Sequence, residues 1–248
     1  MSIEIEKIKR EFLRIKALGF VKSNRPNNKD GGIGNTYEDY LGVIENNIKG
    51  ADYEGFEIKS QRELTGSYIS LFTKSPTAPK QANRYLKDTF GRGDTMFPDL
   101  KSLHSSMFGD RWNNLYQTYK LKLSIDRINK KIVLFVNDSE ENLLSDIVCW
   151  DFDALVKSSK KISSLFVVFA SSKKIDGEEY FHFNRAIIYH KFDFNKFLNL
   201  LENGYIMFDV RIGVYKTGKN IGKPHDHGSG FRIKRENIDQ LYDEVIEI

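Results

Sequence analysis

With 248 residues, 40% of them apolar and 29% charged, the chain has the makeup of a folded globular protein, long enough for one large core or for a core with a binding lobe. Its longest apolar runs, such as residues 132–136 and 165–170, fall far short of the roughly 20 residues that span a bilayer, so no membrane role is expected. The N-terminus Met1-Ser2-Ile3-Glu4 lacks a signal-peptide core, and the single cysteine, Cys149, fits a reducing cytoplasmic setting.

The net charge of +4 is unevenly spread. Residues 74–130 carry eleven Lys and Arg against five Asp, and residues 211–234 carry six against one, which leaves the remainder net acidic. Two basic stretches on an acidic chain read either as a polyanion-binding face or as chance clustering of surface charge.

Taken in chain order, Ile5, Ile8, Phe12, Ile15 and Leu18 recur at helical spacing, and Gly19 is placed to end that helix. A polar loop over 22–34 precedes a second helix, expected from about Thr36, with Tyr37, Tyr40, Leu41 and Ile44 on one face and Glu38 off that stripe. Residues 56–59 alternate as a strand, and 68–73 reads as its neighbour. Residues 75–117 are the least patterned part and are expected to form an irregular excursion. The alternation of 119–125, the polar turn Asn129-Lys130-Lys131 and the apolar run 132–136 predict a hairpin. A second pair of strands, 165–170 and 180–189, flanks Asp176-Gly177. A helix over 195–202, a strand over 206–215 and a closing helix over 236–245, with Ile238, Leu241, Tyr242 and Val245 at helical spacing, complete the chain. The class is mixed α/β around a central sheet.

Within 56–59, period-two alternation puts Phe56 and Ile58 on one face and Glu57 with Lys59 on the other. A carboxylate and an ammonium then project together. Asp52 stands five residues before Glu57, and Gly55 permits a tight approach back toward it. Oxygen ligands of this kind suit Mg²⁺ or Mn²⁺. Phosphodiester hydrolysis uses such a metal to neutralise charge, with a nearby cation to orient or deprotonate the water. The same acid-x4-acid-x-Lys spacing recurs at Asp94, Asp99 and Lys101, so spacing alone names no site. Pro98 and the lack of alternating apolar partners make that copy a poor central strand. On the motif alone, even the Asp52 copy is better read as an edge strand carrying an ordinary Glu–Lys pair.

The rest of the chain changes that reading. The segments Gly32-Ile33-Gly34-Asn35-Thr36-Tyr37-Glu38-Asp39-Tyr40-Leu41, Leu71-Phe72-Thr73-Lys74-Ser75-Pro76-Thr77, Asp209-Val210-Arg211-Ile212-Gly213 and His225-Asp226-His227-Gly228 with Phe231-Arg232-Ile233 together resemble the MvaI/BcnI family of type II restriction endonucleases. The resemblance runs from about residue 31 to 233, and its first part is also similar to MutH, the nicking protein of mismatch repair. It implies a PD-(D/E)xK restriction-endonuclease-like fold, with one lobe for catalysis and one for recognition clamping duplex DNA. Residues 1–130 are assigned mainly to catalysis and 131–248 mainly to recognition, with interleaving left open.

On that resemblance Asp52 and Glu57 hold Mg²⁺, Lys59 sits beside the attacking water, and Glu38 supports the site. Glu38 also reads simply as a carboxylate complementing its helix dipole. The proline of the PD pair is missing, since Ala51 precedes Asp52. Asp209, Arg211, His225, Asp226, His227 and Arg232 match family recognition positions. Arg can donate twice to guanine and Asp can accept from cytosine; surface ion pairs are the plainer alternative. Zinc at His225 and His227 is not expected, because Cys149, His104, His182 and His190 show no partnering spacing. Lys74, Ser75 and Thr77 read as phosphate ligands, while Lys80, Arg84 and Lys87 form a helical face that is either basic contact or merely solvated.

The expectation is therefore a monomeric type II endonuclease that nicks the strands in turn and leaves 5′-phosphate and 3′-hydroxyl ends. Its site is short, on the pattern of C and G pairs around a variable centre. A methyltransferase protecting the same site in a bacterial host is implied as a functional partner. The rivals are a MutH-like nickase that needs partner proteins, and a DNA-binding module without catalysis.

Overall fold

A computed structural model describes residues 3–25, 32–42, 52–63 and 68–248. The chain divides into two compact units, residues 1–67, 160–193 and 242–248 in the first, and 68–159 with 194–241 in the second. They alternate along the sequence. Helices α1 (Ile3–Lys16) and α2 (Gly32–Leu41) and strand β1 (Glu57–Arg62) begin the first unit. The second then takes β2 (Tyr68–Thr73), α3 (Ala82–Phe90), β3 (Lys101–Met107), β4 (Tyr119–Asp126), β5 (Lys131–Asp138), β6 (Leu143–Asp151) and α4 (Phe152–Ser159). The first resumes with β7 (Ser164–Ile175) and β8 (Glu178–Phe192), and the second with α5 (Phe194–Glu202), β9 (Ile206–Val214), β10 (Pro224–Asp226) and β11 (Gly230–Lys234). Strand β12 (Tyr242–Glu247) returns to the first. No helix among the described residues is long and apolar enough to cross a membrane.

In the first unit β7 and β8 form a long antiparallel hairpin, with Ser164 opposite His190 and Ile175 opposite Glu178. Every residue over 164–170 is buried, which is what a strand covered on both faces requires. Strand β1 runs parallel to β7, Glu57 opposite Leu165 through Arg62 opposite Ala170. One face of this sheet meets the apolar stripes of the helices: Ile5, Ile8, Phe12 and Ile15 from α1, Ile33, Tyr37 and Leu41 from α2, and Phe56, Ile58 and Phe166 beneath them. The helical spacing at the start of the chain therefore reads correctly, although Leu18 is half exposed beyond the end of α1. Helix α2 begins four residues before Thr36. Ile44, assigned to its face, lies outside the described residues.

The second unit holds two antiparallel sheets. One has the order β2–β11–β9–β3, with β10 also on β9; the other contains β4–β5–β6. The predicted hairpin of 119–125 and 132–136 is present as β4–β5, with Leu121, Leu123, Ile132, Leu134 and Val136 buried at period two. Trp150 of β6 packs its ring 4.6 Å from Phe208 and 5.9 Å from Phe231, and its indole N–H donates to the Lys74 carbonyl at 3.0 Å.

Three expectations are corrected. Strand β2 does not pair with β1; it lies in the other unit against β11. The true neighbour of β1 is β7, a hundred residues on, because a parallel partner cannot follow through a tight turn. The closing helix is also absent: residues 235–241 form a 3₁₀ turn and β12 extends along the edge of β8. Four apolar residues at helical spacing were outweighed by a ladder edge open over 187–192. The stretch 75–117 is not irregular throughout, since it holds α3 and β3.

Candidate functional site

The Asp52 segment is built by a two-residue turn. Glu54 and Gly55 both have positive φ, 45° and 84°, while Tyr53 and Phe56 exchange backbone hydrogen bonds of 3.1 and 2.8 Å. Such a turn favours glycine at its second position because a Cβ there is strained. It folds Asp52 back along β1, where Oδ2 accepts the Ile58 N–H at 2.8 Å. Glu57 and Lys59 share a face, as alternation requires, and Lys59 Nζ donates to Glu57 Oε1 at 2.6 Å. A second ammonium, Lys161 Nζ, donates to the same oxygen at 3.1 Å. Glu57 is only 4% exposed, so these partners compensate a buried charge.

Burial, and then the neighbouring Glu57 charge, push the Asp52 carboxyl above its usual range; the Ile58 N–H, Lys59 and Lys161 oppose the shift. An exposed Asp52 carboxylate set beside the buried Glu57 carboxylate invites a cation. The oxygens left, Asp52 Oδ1 and Glu57 Oε2, accept no hydrogen bond among the described residues. No group of three or more His, Cys, Asp or Glu that could hold a metal occurs among the described residues. Two hard oxygen donors nevertheless fit Mg²⁺, which keeps most of its waters. Glu38 is half-buried on α2, in the same unit.

The second copy of the spacing is dispersed. Asp94 accepts the Met96 N–H at 2.9 Å and the Phe97 N–H at 3.2 Å, and it pairs with Lys216. Lys101 opens β3 and donates to the Asp88 carbonyl at 2.7 Å. Asp94 is thereby consumed as a turn cap.

Lys161 was not found from the sequence. It lies in the 3₁₀ turn Lys160–Ile162 before β7. Parallel pairing aligns the starts of β1 and β7, so a residue just ahead of β7 meets Glu57. Without that pairing, Lys160-Lys161 is only a polar pair before an apolar run.

The predicted recognition residues gather in the second unit on β9 and the strands beside it. Asp209, 8% exposed, accepts Arg211 Nε at 2.7 Å. Arg232 Nε lies 2.9 Å from the same oxygen but is poorly aligned for a hydrogen bond. The Arg232 guanidinium is otherwise occupied, Nη1 on Ser70 Oγ at 2.7 Å and Nη2 on the Gly228 carbonyl at 3.3 Å. Arg211 differs, since its side chain is 46% exposed and its two Nη groups donate to nothing among the described residues. Asp226 caps its own turn, Oδ1 accepting Gly228 N, Ser229 N and Ser229 Oγ at 2.7–3.0 Å, while Oδ2 accepts Asn83 Nδ2 at 2.8 Å. The Ser229 hydroxyl in turn accepts the Arg211 N–H at 2.9 Å.

His225 and His227 stack edge to face at 4.1 Å, with His104 6.4 Å from His227, around a cavity of about 530 Å³ also lined by Tyr215 and Lys216. Loss of solvent, then the His225, His104 and Arg211 charges, hold the His227 imidazole below its usual range. Ser75 Oγ accepts Asn83 Nδ2 at 3.1 Å. Thr77 is tied to β6 on both sides, its hydroxyl donating to the Cys149 carbonyl at 3.1 Å and accepting the Asp151 N–H at 3.0 Å.

Residues 8–242 match the sequence profile of the MvaI/BcnI restriction endonuclease family. The solved complex of restriction endonuclease MvaI with its cognate DNA substrate is 32% identical, covers 100% of this chain and 99% of its own, and has a TM-score of 0.89. MvaI without DNA is 33% identical, with 100% and 98% covered and a TM-score of 0.66. A search of curated proteins returned no match.

Proposed function

This chain belongs to the MvaI/BcnI restriction endonuclease family, and from that premise we propose that it is a type II, Mg²⁺-dependent endonuclease of duplex DNA whose hydrolytic centre is Asp52, Glu57 and Lys59. The observation that carries the reading is Asp52 folded back onto β1 beside the Glu57–Lys59 pair. Asp52 and Glu57 would hold the metal through their outward oxygens. Bound there, a divalent cation supplies charge to stabilise the phosphorane and the departing oxygen. Lys59 Nζ, on the face of Glu57, donates to the attacking water and orients it, and the proton the water gives up passes to bulk solvent. The cognate DNA substrate bound by MvaI supports DNA as the substrate here, read as a duplex cut to 5′-phosphate and 3′-hydroxyl ends.

Arg211 is the base reader the geometry favours, because Asp209 fixes Nε and leaves both Nη groups directed to donate. His225 and His227 stand beside it, Lys74 and the exposed Ser75 meet phosphate, and Glu38 supports the catalytic strand. Arg232, Asp226 and Thr77 brace these residues. The chain is taken to act as a monomer, whose one centre would nick the two strands in turn, at a short site of C and G pairs around a variable centre. A methyltransferase of the same specificity would protect the host cytoplasm's own DNA.

Asp52→Asn, Glu57→Gln and Lys59→Ala should each abolish plasmid cleavage in Mg²⁺ while retaining binding in Ca²⁺; Asp99→Asn should cut normally. Loss of cleavage in Asp99→Asn with retention in Asp52→Asn would assign the centre to the other copy.

A further inference from the structure

Glu57 carries two ammonium groups on a single oxygen, and the hydrolytic reading above uses only one of them. Lys59 Nζ is the nearer at 2.6 Å and Lys161 Nζ the farther at 3.1 Å. To assist an attacking water, Lys59 has to loosen its hold on Glu57. Were it the sole partner, that departure would leave Oε1 of a carboxylate 4% exposed without a hydrogen-bond donor, which is costly in a dry site. Lys161 supplies a partner that stays.

The backbone holds Lys161 in place for that task. Ile162, the next residue, is fully buried, and its carbonyl accepts the Tyr242 hydroxyl at 3.0 Å. The Ser163 N–H donates to the Lys160 carbonyl at 3.1 Å, and the Phe192 N–H to the Ser163 carbonyl at 3.2 Å. The turn is thereby tied to both β8 and β12. Lys59, by contrast, stands two residues from Glu57 on one strand.

Resting on the proposed Asp52–Glu57–Lys59 centre, we propose that Lys161 is its positioning residue: it retains Glu57 Oε1 so that Lys59 is released toward the attacking water. The charge of Lys161 has a second consequence, whose sign is opposite to that of a structural prop. An ammonium beside two carboxylates repels a divalent cation, so it loosens the metal while speeding the reaction.

The test uses full-length protein with Lys161→Ala and Lys161→Arg, beside Lys59→Ala and Glu57→Gln. Direct titration of DNA-free protein with Mn²⁺ should show several-fold tighter binding for Lys161→Ala. Cleavage of supercoiled plasmid, with protein in excess and saturating Mg²⁺, should slow by about 10–100-fold, the range typical of groups that orient a metal ligand. Lys161→Arg, which keeps the charge, should recover most of both values. Unchanged Mn²⁺ affinity and rate in Lys161→Ala would overturn the inference, as would weakened Mn²⁺ binding accompanying a slower rate. Wild-type cleavage by Lys59→Ala and Glu57→Gln would instead overturn the centre itself.

Discussion

On the proposed reading, Asp52 serves chemistry at the expense of stability. Its carboxyl is raised by burial and by Glu57, so the folded protein disfavours the ionised form. A carboxyl raised in this way costs stability at any pH above its folded value, and costs nothing below its unfolded value near 3.9. Asp52→Asn should therefore raise Tm in EDTA at neutral pH, and the gain should disappear as the pH falls toward 4. A lower Tm at neutral pH would mean that the Ile58 hydrogen bond outweighs the repulsion. The arginines divide in the same way. Arg211→Ala should weaken binding to a fragment the protein cleaves by about 1–3 kcal/mol more than to random DNA. Lys74→Ala should weaken both alike and flatten the salt dependence by roughly one unit of log K per log salt. Equal specificity ratios for the two variants, from competition binding in Ca²⁺, would remove the recognition assignment. Arg232→Ala, removing a side chain bonded to Ser70 and Gly228, should lower stability as well.

Among the elements, β11 is packed closely against its neighbour. Gly230 lies so close to β2 that an added Cβ would stand 2.6 Å from the Phe72 carbonyl oxygen. Gly230→Ala should cost about 1–3 kcal/mol, the usual price of overpacking, measured as a lower urea midpoint with unchanged slope. An unaltered midpoint would show that β2 and β11 separate freely. What was legible at this scale was local. The α1 stripe, the β4–β5 hairpin and the β7–β8 hairpin each depend on residues close in sequence, and each is visible as period 3.6 or period two with a turn between. Glu57 and Lys59 on one face follow from the same alternation. The pairing of β1 with β7 was not legible, because a parallel ladder joins segments about a hundred residues apart. Lys161 was hidden with it. The closing strand was misread because Ile238, Leu241, Tyr242 and Val245 fit a helix locally, and only the open edge of β8 decides otherwise. The hydrogen bonds of Asp226 and Thr77 with Asn83, Ser229 and Cys149 join residues that no spacing rule connects.

Across the whole molecule, charge and chemistry are sorted between the two units. Asp52, Glu57, Lys59 and Lys161 belong to the first, whereas both basic stretches, 74–130 and 211–234, belong to the second. If it acts as the proposed monomer, a chain with one such centre would cut one strand per binding pose, since the two strands of a duplex run in opposite directions. The protein should sediment at its chain mass of 28.8 kDa across a range of concentrations. The most direct measurement is a time course of supercoiled plasmid with purified protein and Mg²⁺, run beside Glu57→Gln. The expected result is an open-circular species that rises before linear DNA, with ends mapping to one short sequence, and plasmid left supercoiled by Glu57→Gln. Plasmid left intact by the wild-type protein, cleavage persisting in Glu57→Gln, or linear product formed without a nicked intermediate by a stable dimer would contradict it.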